Sequence, residues 1–584
     1  MAKQVEPTAS IYEFEGFRLD VGRRRLQHHN TLVSLTPKAF DTLLHLIANR
    51  GEVVTKEALL KSVWPDTAVE ENNLNQNISV LRRALGGGRK ENRFIVTLPG
   101  RGYSFVATVA SVAASPAAPS TLISLAVLPF RPIVLRDSDP ALELGMADTL
   151  IARLSSIHQL VIRPIGSVRN FTRPDEDPLA IGKQLAVESI LEGSLQKHGS
   201  KVRVTARLLR IADGRALWAG SFDEPFTDIF ALQDSIAEKV VEALKLQLSS
   251  TDLSRLTKHQ TANPEAYQLY VKGRYYWWKT NPEEFKKSRE FFHRAVESDP
   301  AYALGYCGLN SFYGFSSAWG LILPGDGWPK AEWAARKALE IDDRLAEAHL
   351  GMAAFHMIHQ HWAEAEAATL RGIELNPQFD EIHYFYSFLL MVTQRYEPAI
   401  VEAHKALACD PFSLRINLQL ANIFLYARRF DDAVHQCRQT IDLNPSDAST
   451  HEFLANVFEL AGRPADALEE WRRAATLTAD SETLSILKSP DIKASAKSIK
   501  ALARIKLQRL EARVQSGAYV PSAHFAEQYL RAGDSAKALV FLHQAAQERN
   551  VFSLLLFRDP RYEPLQSDPR FIKLRNQAAA TGLR

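Results

Sequence analysis

Five side-chain amides fall within six consecutive residues of this 584-residue chain, in the stretch NNLNQNISVLRR. They are Asn72, Asn73, Asn75, Gln76 and Asn77. An amide both donates and accepts hydrogen bonds, so Asn and Gln can pair with the adenine edge in the major groove of DNA. Two arginines, Arg82 and Arg83, follow closely and could neutralise phosphates. These residue types indicate a DNA-reading surface, although solvated polar residues with a helix cap would look similar in isolation.

The apolar residues of the same stretch predict a helix. They recur at intervals of four, three and four residues, at Leu74, Ile78, Leu81 and Leu85. That spacing puts them on one face, which we expect to pack against a core. At 100° per residue the opposite face carries Asn72, Gln76, Ser79 and Arg83. A recognition helix presents its N-terminal residues to the bases, so the amides stand in the right place.

Three further elements surround this helix. Short strands are predicted in YEFEGFRLD and RRLQHHNTLVSL, followed by a helix that Thr36 can cap and Pro37 can begin. A second helix begins at Thr55. Behind the amide-rich helix, FIVTLPGRGYSF reads as a hairpin with its turn at residues 99–102, where Arg101 offers another phosphate contact.

This order resembles the OmpR/PhoB-type winged-helix DNA-binding domain, over residues 11–108. The matching stretches are LTPKAFDTLLHLIANRGEVVTKEALLKSVW, NNLNQNISVLRRALG and FIVTLPGRGYSF. Where members of the family contact bases, this chain has Asn73, Asn75, Gln76 and Val80. Where members contact the DNA backbone, it has Trp64, Asn72, Asn77, Ser79, Arg82 and Thr97. Pro99 stands where many members carry the arginine that reaches the minor groove, and Arg101 is the nearest substitute.

The next region divides into a linker and a small α/β domain. Residues 109–121 are mostly small residues and prolines without an amphipathic period, which is typical of a linker. Over residues 122–250, apolar strands alternate with amphipathic helices, and a hairpin turns at Gly199. The order, and the phrase ILEGSLQKHGSKVRVTARLLRIADGRALWAGSF, resemble the TolB-like domain found in bacterial regulators and beside some adenylate cyclase catalytic domains.

Beyond residue 260 the chain repeats itself every 34 residues. Small residues keep this spacing at Ala365, Ala399, Ala433 and Ala467, and helix-ending prolines keep it at Pro377, Pro411 and Pro445. The period and the small residues resemble the tetratricopeptide repeat, over residues 264–478, with a degenerate helical cap at 519–578. The groove of such an array would hold a protein or peptide partner. The predicted groove residues are Tyr384, Phe388, Met391, Asn422, Leu425 and Asn456.

No catalytic or cofactor site emerges from the sequence. The net charge is +3, but residues 1–110 contain fifteen Lys and Arg against eleven Asp and Glu. The cluster His356, His359 and His361 lacks a suitably spaced fourth ligand for zinc. We therefore expect no cofactor, no metal and no enzymatic activity. The N-terminus has no signal-peptide core and no apolar window is long enough to span a membrane, so we expect a cytoplasmic protein without membrane contact.

The predicted fold class is multidomain α+β: an N-terminal winged helix-turn-helix, a small mixed α/β TolB-like domain and a C-terminal all-α repeat solenoid. We expect a one-component transcriptional regulator that binds double-stranded DNA and senses a signal or a protein partner through its C-terminal regions. It could bind DNA as a homodimer on repeated half-sites. The alternative is a cytosolic scaffold whose winged helix binds protein instead of DNA.

Overall fold

A computed structural model gives the structure of the chain, which divides into two compact units, 1–121 and 122–584. The described residues are 11–20, 25–28, 31–33, 37–63, 74, 77–78, 81–82, 84–85, 93–98, 101–112, 123–133, 138–155, 157, 159–173, 175–198, 201–246, 261–279, 281–487 and 496–580.

A five-stranded antiparallel sheet opens the first unit, in the order β4-β3-β2-β1-β7. Its strands are β1 Ile11–Phe14, β2 Phe17–Asp20, β3 Arg25–His28, β4 Thr31–Val33 and β7 Ala110–Val112. The sequence predicts a linker from residue 109, yet β7 pairs with the free edge of β1. An unpaired strand edge accepts any extended neighbour with free backbone groups, so a stretch with the composition of a linker can still join the sheet. Residues 113–121 lie outside the described part of the chain.

Helices and a hairpin complete the first unit. They are α1 Pro37–Ala48, α2 Lys56–Val63, β5 Ile95–Leu98 and β6 Gly102–Phe105. Six described residues between 74 and 84 are also helical. The predicted apolar stripe is confirmed, because Leu74, Ile78, Leu81 and Leu85 are all buried. They share one core with the ring cluster of Phe14, Phe17, Phe94 and Phe105.

The second unit begins with a mixed six-stranded sheet in the order β10-β8-β11-β12-β13, with β9 beside β11. β8 runs parallel to β10 and β11, whereas β11, β12 and β13 are antiparallel. The strands are β8 Ile123–Val127, β9 Arg131–Pro132, β10 Leu160–Ile162, β11 Ser189–His198, β12 Lys201–Arg210 and β13 Ala216–Pro225. The helices are α3 Pro140–Leu154, α4 Ile165–Val168, α5 Pro178–Gln184 and α6 Ile229–Ala243.

Six helix pairs follow. Their bounds are α7 Pro264–Trp277, α8 Pro282–Ser298, α9 Ala303–Ala318, α10 Pro324–Ile341, α11 Ala346–Ile358, α12 Trp362–Leu375, α13 Asp380–Val392, α14 Tyr396–Cys409, α15 Leu414–Tyr426, α16 Phe430–Leu443, α17 Ala448–Leu460 and α18 Pro464–Leu477. The small residues at the 34-residue spacing are fully buried, at Ala365, Ala399, Ala433 and Ala467. This burial explains the repeat, since a larger side chain would push the paired helices apart.

The C-terminal segment packs back on the repeats. Its helices are α19 Ser481–Leu487, α20 Ala496–Gln515, α21 Ser522–Ala532, α22 Ser535–Ala545, α23 Val551–Leu555 and α24 Pro569–Ala580. The indole Nε1 of Trp328 donates to the carbonyl oxygen of Arg549 at 2.8 Å, and Tyr426 donates to Asp559 at 3.2 Å. The segment therefore joins early and late repeats.

Candidate nucleic-acid interface

Four of the twelve predicted DNA-contacting residues lie in the described part of the chain. Asn77 is half-buried on the helix, Thr97 is exposed on β5, Arg82 is half-buried between them and Arg101 is exposed at the hairpin turn. The other eight lie outside the described residues: Trp64, Asn72, Asn73, Asn75, Gln76, Ser79, Val80 and Arg83. Their DNA contacts stay predictions.

Arg82 connects the helix to the hairpin. Its Nε and Nη2 donate to the carbonyl oxygen of Ile95 at 3.1 and 2.8 Å, and Nη2 also donates to the hydroxyl of Thr97 at 2.7 Å. Partial burial lowers the pKa of this guanidinium. Arg82 and Thr97, both predicted to contact the DNA backbone, thus contact each other. The sequence did not reveal this link, because nothing in the pattern pairs residues 82 and 97.

Gly102 fixes the base of the hairpin. Its φ is +148°, and a Cβ here would lie 2.0 Å from the carbonyl oxygen of Val54. The two backbone segments approach this closely because Val54 and Tyr103 exchange backbone hydrogen bonds of 2.8 and 2.9 Å. Only glycine fits such an approach. The hairpin that carries Arg101 is therefore held at two places, by this pairing and by Arg82.

The two helices before the amide-rich stretch are tied together as well. The Lys38 ammonium donates to the carbonyl oxygen of Val63 at 2.6 Å, and His45 lies 2.9 Å from the hydroxyl of Ser62. Burial lowers the pKa of His45, which favours the neutral ring at physiological pH. These contacts join α1 to the end of α2.

Three of the six predicted residues of the peptide groove on the repeats contact other parts of the chain. Met391 and Leu425 are buried in the repeat core, in the same cluster as Val551 and Leu554 of the C-terminal segment. The side-chain oxygen of Asn456 accepts a 2.8 Å hydrogen bond from Arg531. The C-terminal segment thus covers this end of the array. Asn422 is half-buried, and its predicted partner contact stays untested.

Tyr384 and Phe388, the remaining two groove residues, line a cavity of about 910 Å³ inside the second unit. Residues of the α/β region form one wall of this cavity and residues of the repeats form the other. The described part of the chain contains no cluster of side chains suited to hold a metal ion. It also contains no helix long and apolar enough to cross a membrane.

Three family models match the chain, and they describe regulatory domains and a repeat. Residues 30–105 match "Transcriptional regulatory protein, C terminal", residues 120–239 match "HilA/YgeH-like transcriptional regulator, second domain", and residues 418–482 match "Tetratricopeptide repeat". The chain therefore carries an OmpR/PhoB-type domain, a HilA-like second domain and tetratricopeptide repeats. The TolB-like interpretation of the middle region stays a prediction.

Individual proteins are similar over parts of the chain. The transcriptional regulator HilA of Salmonella typhimurium is 26% identical over 345 residues, 58% of this chain and 59% of that protein. The putative adenylate cyclase 3 of Rhizobium meliloti is 28% identical over 232 residues, 39% of each chain. The match thus spans about two fifths to three fifths of the length of these relatives. The crystal structure of the Klebsiella pneumoniae RstA DNA-binding domain in complex with RstA box is 26% identical, with a TM-score of 0.16 over 16% of this chain and 96% of that one.

Proposed function

We propose that this chain is a sequence-specific transcriptional regulator of the one-component kind, which binds double-stranded DNA through residues 11–108 and receives its signal through residues 122–584. The observation that carries the proposal is the OmpR/PhoB-type domain match over residues 30–105. The fold of this unit also has the expected buried apolar stripe on the amide-rich helix and the β5–β6 hairpin, which corresponds to the wing of a winged helix. The HilA-like second domain supports the same function, because its family is one of transcriptional regulators.

The local geometry suggests how the DNA-binding unit would work. The apolar stripe of the amide-rich helix is buried in the core, which supports the prediction that the amides on the opposite face read the bases. Arg82 fastens that helix to β5, so helix and wing would meet the DNA as one rigid piece. A rigid interface binds more tightly because less freedom is lost on binding. Arg101 at the wing turn would contact phosphate or the minor groove.

Three finer features belong to the same proposal. We take the domains as 11–108 for DNA binding, 122–250 for the α/β region, 264–478 for the repeats and 519–578 for the cap. The protein would act in the cytoplasm, where bacterial DNA lies. It would bind as a homodimer on repeated half-sites, since a single winged helix reads only a short sequence.

The test is recovery of the DNA bound to the full chain in its own cells, followed by titration of the enriched sequence. The double variant Asn75→Ala with Gln76→Ala should lose the enrichment. Arg215→Ala, which removes a charge from an exposed site of the second unit, should keep it. Affinity should fall steeply with salt as phosphate contacts release counterions. Recovery of proteins in place of DNA, with no salt-dependent DNA binding, would overturn the proposal and favour a protein-binding scaffold.

A further inference from the structure

The cavity inside the second unit has the size and construction of a small-molecule site. Its volume of about 910 Å³ lies within the range of roughly 300–1,000 Å³ that ligand pockets occupy. Residues of α3 and α4 line it on one side, and residues of α7, α9, α11, α13 and α15 line it on the other. The site is therefore formed by regions that are distant in sequence.

Buried polar contacts hold the two walls together. The guanidinium of Arg163 donates to the carbonyl oxygens of Ala408 and Cys409 at 3.2 and 3.0 Å. The hydroxyl of Ser167 donates to the Asp410 carboxylate at 2.5 Å. These contacts keep the cavity open without a ligand, so a ligand would meet a preformed site.

Three charged side chains occupy equivalent places on one wall. Glu347, Glu381 and Arg415 are each the second residue of their helix, and each follows the last by 34 residues. All three line the cavity, and the guanidinium of Arg415 interacts electrostatically with Glu381. Arg415 lies over the ring of Tyr384, 3.9 Å from its centroid. This end of the cavity therefore presents charges of both signs to anything that enters it.

Two buried polar side chains nearby have acceptor oxygens that no described side chain uses. Asp380 is 9% exposed and lines the cavity, but no described side chain donates a hydrogen bond to its carboxylate. Burial, together with the neighbouring Glu381, raises its pKa to about 7. On the opposite wall Gln233 is fully buried, and its Oε1 accepts no hydrogen bond. Since buried polar atoms are normally satisfied, these groups point to a missing polar ligand.

The wall becomes apolar further along the same helices. Leu350 and Ala354 continue the face that Glu347 begins on α11. Phe385 and Phe388 continue the face that Glu381 begins on α13. The steps of three, four and seven residues place them above the charged end. The cavity is therefore charged at one end and apolar at the other.

We propose that this cavity binds a small zwitterion, a molecule with an ammonium and a carboxylate at one end of an apolar body, as in an α-amino acid. The ammonium lies between the carboxylates of Glu347 and Glu381, and the ligand carboxylate accepts from Arg415. The apolar body packs on Phe385 and Phe388. This inference rests on the proposed function in one respect only: the bound zwitterion would be the signal that residues 122–584 receive.

A simple cation fits the site less well. It would pair with the two carboxylates but compete with Arg415 for Glu381, which already interacts with that guanidinium. A simple anion would leave both glutamates unpaired. A zwitterion offers an opposite charge to Glu347, to Glu381 and to Arg415. The aromatic rings of the lining favour an apolar ligand side chain next to these charges. Charge pattern therefore selects one class among the ligands of this size.

The experiment is isothermal titration calorimetry of the full chain with L-phenylalanine, L-leucine, phenethylamine and 3-phenylpropionate. At least one amino acid should bind about tenfold more tightly than the single-charge analogues, because a charged hydrogen bond contributes a factor of this order. Glu381→Gln and Arg415→Gln should each remove that advantage. Glu397→Gln, at a site whose side chain is 78% exposed, should leave the affinity unchanged.

Two results would overturn the inference. The first is equal binding of phenethylamine and L-phenylalanine, which would make the site a cation site. The second is no heat from any of the four compounds at millimolar concentration. DNA binding by the same preparation is measured alongside. Intact DNA binding with no ligand binding contradicts this inference alone, whereas loss of DNA binding contradicts the proposed function.

Discussion

Arg82 and Ile95 are joined by two hydrogen bonds, from Nε and Nη2 to one carbonyl oxygen, at 3.1 and 2.8 Å. Residue 82 lies on the helix that the sequence predicts to read DNA, and Ile95 begins the first strand of the wing. Ile95 itself is fully buried. These two hydrogen bonds therefore fix the spacing between the helix and the hairpin, which would meet the DNA together. They also give the carbonyl oxygen of Ile95 its hydrogen-bond donors.

We expect Arg82→Ala to loosen the wing. Loss of the guanidinium leaves the Ile95 carbonyl without these donors, which costs about 1–3 kcal/mol for a buried acceptor. Hydrogen exchange of the β5 amides in the full chain should quicken, and affinity for DNA should fall. Thr97→Val removes one acceptor only and should have a smaller effect on exchange. Unchanged exchange in Arg82→Ala would show that the wing is held by the Val54–Tyr103 pairing alone.

The buried alanines of the repeats give a matched pair of substitutions. Ala365 is fully buried, whereas Ala363 is exposed two residues earlier on the same helix. Ala365→Leu inserts three carbon atoms between packed helices and should cost about 1–3 kcal/mol, while Ala363→Leu should be close to neutral. The measurement is the thermal unfolding midpoint of each full-length variant. Equal midpoints would mean that the helices can separate without loss, against the packing explanation of the 34-residue spacing.

Local patterns in the sequence predicted much of this architecture. The apolar stripe from Leu74 to Leu85 is buried, because a helix must hide a face of that width whatever it packs on. The 34-residue spacing of Ala399 and Ala433 identified the repeats, since each paired helix needs the same close approach. The alternation in the middle region predicted its mixed sheet. All of these features depend on contacts between neighbouring elements.

Features that depend on distant residues were not predictable. Met391 lies three residues after Phe388 on the same helix, yet it is fully buried in the core that the repeats share. The side-chain oxygen of Asn456 accepts a hydrogen bond from Arg531, which lies 75 residues further along the chain. The cavity needs Arg163 to reach the carbonyl of Ala408, 245 residues away. No local period in the sequence records such contacts.

Asp380 should make the stability of the second unit depend on pH. Burial raises the pKa of this carboxyl from 3.8 to about 7, with Glu381 and Asp410 adding to the rise and Arg415 opposing it. The folded state then holds a proton that the unfolded state has released. The stability that the neutral group gives is complete below about pH 4 and is lost as the pH rises to about 7.

Asp380→Asn should remove most of this dependence. The thermal midpoint of the original chain should fall more between pH 5 and 7.5 than that of the variant, and the variant should be the more stable at pH 8. Asp342→Asn, at another carboxyl of the cavity lining, serves as the control. Parallel pH profiles for Asp380→Asn and the original chain would contradict the assignment.

Base reading and phosphate anchoring can be separated within the DNA-binding unit. Gln76→Ala should remove a paired contact to one base, at a cost of about 1–3 kcal/mol on the operator, and leave a scrambled duplex almost unaffected. Arg101→Ala should weaken both duplexes alike and reduce the slope of log affinity against log salt by roughly one, if Arg101 meets phosphate. If Arg101 takes the place that Pro99 leaves vacant, its loss should instead weaken duplexes with a narrow A/T-rich minor groove most. The measurement is a fluorescence titration of both duplexes at several salt concentrations with Arg215→Ala as the control. An equal loss on operator and scrambled DNA in Gln76→Ala would place this helix outside the major groove.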